Sequence, residues 1–396
     1  MSEDQLPTGA TAVSDGKGSR RHQRTRRRRV LRVVAWGTAG LVLLGGAGAG
    51  YLYFRLNGNI KSVDIDSALG TNRPAALDNG AMDILVLGSD SRSGANSEYG
   101  HDGGGARSDT AMIVHLNKGH KAASVVSIPR DTLVPRPACA KPGGGTAPAV
   151  RSVMFNSAYE VGGPACAVKT VEAMTGLRMD HYIEVDFTGF KNLINALGGV
   201  PLTTTQAIHD TKSHLDLAAG THTLNGEQAL GLVRTRHGVA DGSDLGRIQL
   251  QQAFMKALMN RVSGLGLLTS PTKLIDVADT ATSAITTDSD LASVGSLMGF
   301  AESVRGLDSK NVHMVTLPVQ YAVSDPNRVE PMRAQAAMVW SALRADRPIP
   351  AAATKGSAAD EVNAKKVVGG GVGGDATADP AASPAPGLSP SPSTSP

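Results

Sequence analysis

Aromatic side chains are scarce in this chain: two Trp, six Tyr and six Phe among 396 residues, or 4%. A core without them has to be built mainly from Val, Leu, Ile and Ala, which favours a globular body with long unstructured additions over one compact unit. Nucleotide loops are missing too. No G-x-x-x-x-G-K-[ST] occurs, so ATP is not expected, and the Gly-Ala run at 45–50 lies inside an apolar stretch and is no dinucleotide fingerprint. H-E-x-x-H and G-x-S-x-G are absent, and the histidines show no ligand spacing. There are only two cysteines, Cys139 and Cys166, without a C-x-x-C motif, and there is no internal repeat.

Charge is unevenly spread. The net charge is +4, yet seven arginines lie between Arg20 and Arg29, so the remainder is slightly acidic. A basic cluster can mark nucleic acid, acidic lipid or membrane topology. The segment next to it decides between them. From Val33 to Phe54 no residue is charged, a run of 22, with Arg32 and Arg55 at its borders. That length spans a bilayer core as a helix, and arginines ahead of it place residues 1–32 in the cytoplasm and everything after Arg55 outside. Trp36 and the group Tyr51, Tyr53, Phe54 sit at the two ends. Ala47-Gly48-Ala49 is small enough for signal cleavage, but the apolar run exceeds a signal core and aromatics come after it, so an uncleaved anchor is expected. On the outer side, two cysteines in one domain pair more often than they bind metal, so Cys139 and Cys166 are expected to form a disulfide closing a Pro/Gly-rich loop.

The chain then divides into a basic tail (1–32), a transmembrane helix (33–54), a linker (55–80), a patterned body (81–348) and an Ala/Gly/Pro/Ser-rich tail (349–396) too polar to fold. Within the body, Asp83–Leu87, Thr110–Leu116, Ala122–Ile128 and Val312–Val319 read as strands. Cys166–Thr175, Phe187–Leu197, Gly226–Arg234, Leu245–Val262, Leu291–Val304 and Pro331–Leu343 read as helices, the Leu291 helix capped by Asp288, Ser289 or Asp290. Strands and helices mixed through one domain point to an α/β fold with a central sheet.

Polar groups gather where the apolar strands end. Asp90 and Arg92 come just after the first strand breaks at Gly88, and ligands bind at that edge of open α/β sheets. Arg107 and Asp109 precede the next strand, behind a glycine-rich loop at 100–105. Two carboxylates brought together repel unless a cation lies between them, and Mg²⁺ uses one or two carboxylates plus phosphate oxygens. Pro129 stops a third strand and presents Arg130 and Asp131. Arg234 and Arg236, if extended, place two guanidinium groups on one side, while Arg247 and Gln251 share a helix face. Arginine forks match phosphate oxygens. Two acids and several arginines suggest pyrophosphate chemistry, in which positioning and charge neutralisation dominate.

Taken in order, Asp83-Ile-Leu-Val-Leu-Gly-Ser-Asp90-Ser-Arg92, Arg107-Ser-Asp109-Thr110, Ser127-Ile-Pro-Arg130-Asp131-Thr132, Phe187-Thr-Gly-Phe190 with Leu197-Gly-Gly-Val200, and Leu224-Asn-Gly-Glu-Gln-Ala-Leu230 leading to Arg234-Thr-Arg236 resemble the signature of the LytR-CpsA-Psr family. The likeness covers roughly residues 80–262, and the short N-terminal tail and single span fit it as well. It implies a three-layer α/β/α fold with a mixed central sheet and a long apolar pocket for a polyprenyl chain. It implies Mg²⁺, with Mn²⁺ as an alternative, held by Asp90 and Asp109. It implies pyrophosphate contacts from Arg92, Arg107, Arg130, Arg234, Arg236, Arg247 and Gln251, with Arg130, Asp131 and Arg236 in catalysis. Where many relatives carry Arg before the paired glutamines, this chain has Leu250, so one phosphate or sugar contact is not carried over. The implied reaction moves a glycan phosphate from a polyprenyl-pyrophosphate carrier to a peptidoglycan hydroxyl, beside the membrane. Phe190, Leu193, Ile194 and Leu197 are a candidate lipid lining, although their spacing equally suits core packing. The same arginines and metal would serve a lipid-pyrophosphate hydrolase, and a membrane regulatory or binding protein is the third reading. A DNA role is disfavoured, because no helix-turn-helix pattern occurs and the basic cluster precedes an apolar span.

Overall fold

Met82–Ser89 (β2) reads as an almost unbroken apolar run because both its faces are covered: Leu85 and Leu87 point into one core cluster, Ile84 into another. It lies at the centre of the sheet. A computed structural model describes residues 36, 46–89, 108–236, 242–266, 270–361 and 368–369. Asp90, Arg92, Arg107, the loop at 100–105 and the basic tail lie outside the described residues.

Along the chain the sheet strands are Lys61–Val63 (β1), β2, Ser108–Leu116 (β3), Ala123–Ile128 (β4), His181–Asp186 (β5), Ile285–Asp288 (β6) and Val312–Thr316 (β7). In space the order is β1-β6-β5-β2-β3-β4-β7. The sheet is mixed: β2 pairs antiparallel with β3 and parallel with β5, and β4 pairs parallel with β7. A hairpin of Val319–Ala322 (β8) and Asp325–Pro331 (β9) comes next in the chain.

Helices cover the sheet. They are Asn156–Thr175 (α1), Phe187–Ala196 (α2), Gly226–Arg234 (α3), Asp244–Gly264 (α4), Pro271–Ala284 (α5), Val294–Ser303 (α6) and Arg333–Arg344 (α7). The larger cluster joins Leu85, Ile113 and Val126 of the sheet to Val168 and Val171 of α1 and Val339 and Leu343 of α7. The smaller joins Ile84, Met112 and Val125 to Met255 and Met259 of α4 and Phe300 of α6. Both faces are therefore packed, as the α/β expectation requires.

Local chemistry sets the helix starts. The Asn225 side chain accepts from Gln228 N while the Gln228 side chain accepts from Asn225 N, a reciprocal capping box opening α3. Asp186 caps α2 through Gly189 N. The cap of α6 is Ser293, not Asp288, Ser289 or Asp290, because the helix starts three residues later than its apolar pattern suggests. In α1 the helix breaks at Gly162-Gly163-Pro164, where Gly163 takes a φ of 62°.

Several stretches differ from expectation. Residues 55–80, read as a linker, supply β1 and bury Leu56, Ile65 and Leu69. Residues 46–59 are helical, and among the described residues no helix is long and apolar enough to cross a membrane. Beyond Ile349, Ala353, Ala358 and Ala359 join the core, and Ala359 O accepts from Gln249 Nε2. Ile194 and Leu197 are buried, and Phe190 packs on the same core beside Phe254, ring centroids 5.7 Å apart. Core packing, the alternative the spacing allowed, accounts for Phe190, Ile194 and Leu197, while Leu193 is half-buried. Cys139 and Cys166 are joined in a disulfide with Cα atoms 5.5 Å apart.

At the opposite sheet edge from the polar strand ends, buried His115 bridges Asp83 (2.8 Å from Nδ1) and Asp346 (3.2 Å from Nε2). Burial pulls the imidazole down, but the two carboxylates outweigh it and leave its pKa raised. A raised histidine contributes stability that is full below its unfolded value, about 6.5, and lost as pH climbs through the folded value. The melting temperature of the wild type should therefore fall more between pH 6 and 8 than that of His115→Gln. Parallel pH curves for the two proteins would remove this role; His181, also raised beside Asp288, contributes to both curves.

Candidate active site

The site forms where β2, β4, β5 and β7 end and β3 begins. Gly88 pairs with Thr110 and Ser89 with Ser108, so Asp109 is the extra residue of a bulge. A bulge turns a side chain out of the ladder. Asp109 uses this freedom to place Oδ1 2.5 Å from Arg130 Nη1. Arg130 stands in the turn that Pro129 starts: Thr132 donates to Pro129 O through its amide (3.0 Å) and its hydroxyl (2.6 Å), and Asn156 N donates to Arg130 O. Proline cannot continue the ladder, so the chain leaves the sheet with Arg130 and Asp131 at its rim.

The second side comes from the α3–α4 connection. Arg234 is the last residue of α3, not part of an extended pair with Arg236, and its guanidinium lies 4.8 Å from the centroid of the Phe187 ring. Thr235 is extended and buried, with its hydroxyl 2.8 Å from that of Ser213. This turns Arg236 towards the site, where its amide donates to Asp210 Oδ2. Ser243 then caps α4, whose first turns carry Asp244, Arg247 and Gln251 at positions i, i+3 and i+7. Arg247 Nη2 donates to Asp109 O at 2.8 Å and lies 2.5 Å from Asp244 Oδ1. Gln251 Nε2 donates to Thr110 Oγ1 and Val233 O, so it ties β3 to α3. Leu250 is fully buried in the larger core cluster.

Between these walls lies a cavity of ≈ 510 Å³. Arg130, Asp131, Asn156, Arg236, Ser243 and Asp244 line it on the sheet and helix side, and Tyr321, Pro326, Asn327, Arg328 and Val329 on the hairpin side. Asp244 Oδ1 is 3.6 Å from both Arg130 Nε and Arg236 Nη2. Even so, both Asp244 oxygens, Arg130 Nε and Arg247 Nε are buried without a hydrogen bond. The ion pairs are close but poorly directed. Such groups are costly unless something else satisfies them.

Electrostatics point the same way. Burial pushes the Asp109 carboxyl up, but Arg247, Arg130 and Arg236 outweigh it and hold it below the usual range. Burial lowers Arg236, and Arg247 and Arg130 lower it further, beyond what Asp244 and Asp109 restore. At Arg236 burial and two neighbouring guanidinium groups outweigh the nearby carboxylates, whereas Arg130 is raised by Asp109, Asp244 and Asp131, so an anion would relieve Arg236 most. The N-terminus of the 21-residue helix α4 opens beside the same cavity through Gly242, Ser243 and Asp244 and adds its dipole.

Thus Asp109, Arg130, Asp131, Arg236 and Arg247 come together, Arg234 and Gln251 stand behind them, and Asp90, Arg92 and Arg107 lie outside the described residues. Among the described residues no group of three His, Cys, Asp or Glu side chains gathers as a metal site. Two parts were not read from sequence. Asp244, three residues ahead of Arg247, pairs with Arg130, Arg236 and Arg247 only once the fold brings them together. The hairpin side chains Tyr321, Asn327 and Arg328 carry no motif and reach the site only through the fold.

Comparison with known proteins places this geometry. The Corynebacterium glutamicum protein LcpB is 38% identical over 193 residues, which is 47% of this chain and 43% of LcpB. The chain thus spans less than half of that relative's length. The Bacillus subtilis polyisoprenyl-teichoic acid–peptidoglycan teichoic acid transferase TagT is 32% identical over 271 residues, 66% of this chain and 79% of TagT. The crystal structure of B. subtilis TagV superposes with a TM-score of 0.52 at 26% identity, covering 68% of this chain and 98% of that one. The LytR_cpsA_psr family matches residues 52–345, from the helix ahead of β1 to the end of α7, and with its motifs gathered on one sheet edge this chain belongs to that family.

Proposed function

We propose that this chain is a phosphotransferase that moves a glycopolymer phosphate from a polyprenyl-pyrophosphate carrier to a peptidoglycan hydroxyl. The observation that carries this reading is the convergence of Arg130 and Arg236 on one cavity, with Arg247 buried behind them against Asp244 and Asp109, and with the Nε atoms of Arg130 and Arg247 left without hydrogen bonds. Phosphate oxygens would satisfy these donors, which Asp131 and Asp244 approach no nearer than 3.6 Å at Arg130 Nε. The name of TagT, a teichoic acid transferase acting between a polyisoprenyl carrier and peptidoglycan, supports the substrate class.

In this reading the arginines hold the two phosphates and favour the charge that builds on the leaving lipid phosphate. The acceptor oxygen bonds to the glycan-linked phosphorus, the bridging P–O bond breaks, and Asp131 accepts the acceptor's proton. Asp109, kept ionised by its arginines, would hold a hard cation together with Asp90, which lies outside the described residues. Mg²⁺, or Mn²⁺ in its place, would neutralise charge on the pyrophosphate oxygens when bound there. The lipid would run along the sheet face of the smaller cluster, where Met82, Val86, Val114, Ile183, Met255, Met259 and Phe300 are only partly buried. Methionines adapt to an irregular chain.

A membrane anchor at 33–54, with the basic tail inside and the domain outside, completes the reading. It is supported by the docking of helix 46–59: Arg55 holds Asp279 of α5 at 3.0 and 2.8 Å, and Asn57 Oδ1 accepts from Val294 N of α6. The apolar segment would then be coupled to the catalytic body beside its bilayer substrate.

The test incubates the full chain with a polyprenyl-pyrophosphate glycan, Mg²⁺ and a peptidoglycan oligomer, with products read by mass spectrometry. The expected product is a glycan-phosphate-peptidoglycan adduct, absent with Asp109→Ala and after chelation. Release of lipid phosphate with no adduct would replace the transferase with a hydrolase.

A further inference from the structure

We infer that the β8–β9 hairpin is the subsite for the acceptor sugar. This rests on the transferase reading, and it names the side of the cavity that the pyrophosphate does not use. The arginine end is enclosed: the Arg130 and Asp244 side chains are 22% and 11% exposed. The hairpin end is open, with Tyr321 48% exposed and Pro326 and Asn327 at the surface.

The chemistry of the rim is that of a polyhydroxyl ring. Tyr321, half exposed at the rim, brings an aromatic ring and a hydroxyl, and Asn327 and Asn156 line the same cavity, with Asn327 Nδ2 donating to Asp325 Oδ1. Arg328 does not make this rim an anion site. It lies between Asp131 at 3.5 Å and Asp325 at 3.7 Å, and Asp325 places a carboxylate on the outer rim that would repel a second phosphate. A neutral, amide-bearing sugar suits this surface better than a second phosphate.

The hairpin is also fixed in register with the reacting centre. Thr132 bridges Val329, and Val329 N donates to Asp131 O at 3.4 Å. Asp131 therefore stands between the hairpin and Arg130, whose Nε is 3.7 Å from its carboxylate. A sugar stacked on Tyr321 presents a hydroxyl beside Asp131. The hydroxyl oxygen forms the new bond to the glycan-linked phosphorus as its proton passes to Asp131. The bridging bond breaks, and its electron pair leaves with the lipid phosphate.

Two measurements on the full chain test this. The first is binding of a peptidoglycan disaccharide-peptide without donor, by calorimetry or NMR titration. Tyr321→Ala should weaken it about tenfold, the loss of one aromatic stacking platform, and Tyr321→Phe should restore it. The second is steady-state transfer, where Tyr321→Ala should raise the acceptor's KM, with the donor's KM not moving with it. Equal binding by wild type and Tyr321→Ala, or no binding to either, overturns the subsite. So does an effect confined to the donor's KM. If the disaccharide binds and Tyr321→Ala releases it while no transfer occurs, the subsite stands and the transferase reading falls.

Discussion

Arg130→Ala is expected to lower transfer by about 10²- to 10³-fold, the usual cost of removing one preorganised charge-stabilising donor. Arg130 is the hub of the site. Its Nη1 holds Asp109 at 2.5 Å, its Nε faces Asp131 and Asp244 at 3.7 and 3.6 Å, and that Nε has no hydrogen bond of its own. Burial works against its charge, but Asp109, Asp244 and Asp131 outweigh burial and keep the guanidinium firmly protonated. Truncation removes the donor and leaves three carboxylates facing one another with less positive charge. The fold should survive, because the turn is held by the backbone and by Thr132, not by the arginine side chain. Arg130→Lys keeps the charge but loses the planar fork, so it should recover only part of the rate. The measurement is the initial rate at saturating donor and acceptor, beside a thermal melt of each variant. Near wild-type rates in Arg130→Ala, with an unchanged melt, would remove Arg130 from the chemistry.

The same residues show why part of the molecule is legible in its sequence. β2, β3 and β4 announce themselves because central strands buried on both faces must be apolar throughout, and Leu224-Asn-Gly-Glu-Gln announces α3 because its capping box is local. β5 does not. Its Glu184 and Asp186 spoil the apolar run, yet Glu184 is satisfied by the hydroxyls of Tyr159 and Tyr182, and Asp186 caps α2. Tertiary partners make a polar strand acceptable, and no local rule can see them. β1 is only three residues long and pairs with β6, more than two hundred positions away.

The site divides along the same line. Asp109, Arg130 and Arg236 stand out because polar groups come abruptly after strand or helix ends. The extended reading of Arg234 fails because helix α3 runs to that residue, so Arg234 stacks on Phe187 and only Arg236 turns inward. The hairpin is invisible in advance for another reason. Tyr321 and Arg328 lie nearly two hundred residues from Arg130, and the Thr132–Val329 bridge with the Val329–Asp131 hydrogen bond brings them to it. A residue that serves by position alone leaves no periodicity to read.

Replacing both cysteines, Cys139→Ala with Cys166→Ala, should cost about 3 kcal/mol of stability, chiefly because the unfolded chain regains the freedom of the loop between them. For a domain of this size that is a drop of roughly 6–12 °C in melting temperature. The bond ties the excursion after Arg136 to the second half of α1, downstream of the break at Gly162-Gly163-Pro164. Gly162 sits against it so closely that a Cβ there would lie 2.7 Å from Cys166 Cβ and 2.7 Å from Ala140 O. The helix is thus shaped around the bridge, and Lys169 Nζ adds a hydrogen bond to Ala138 O on the same loop. Leu133–Arg136 pairs with Val150–Met154, which leads directly to Met154 and Asn156 at the cavity wall. Loosening the excursion should therefore be felt first as a lower melting temperature and only near that temperature as lost activity. Reductant on the wild type should reproduce the drop and have no effect on the double variant. An unchanged melt in both experiments would mean that strand pairing alone holds this loop, and that the kink at Gly162 has some cause other than the bridge.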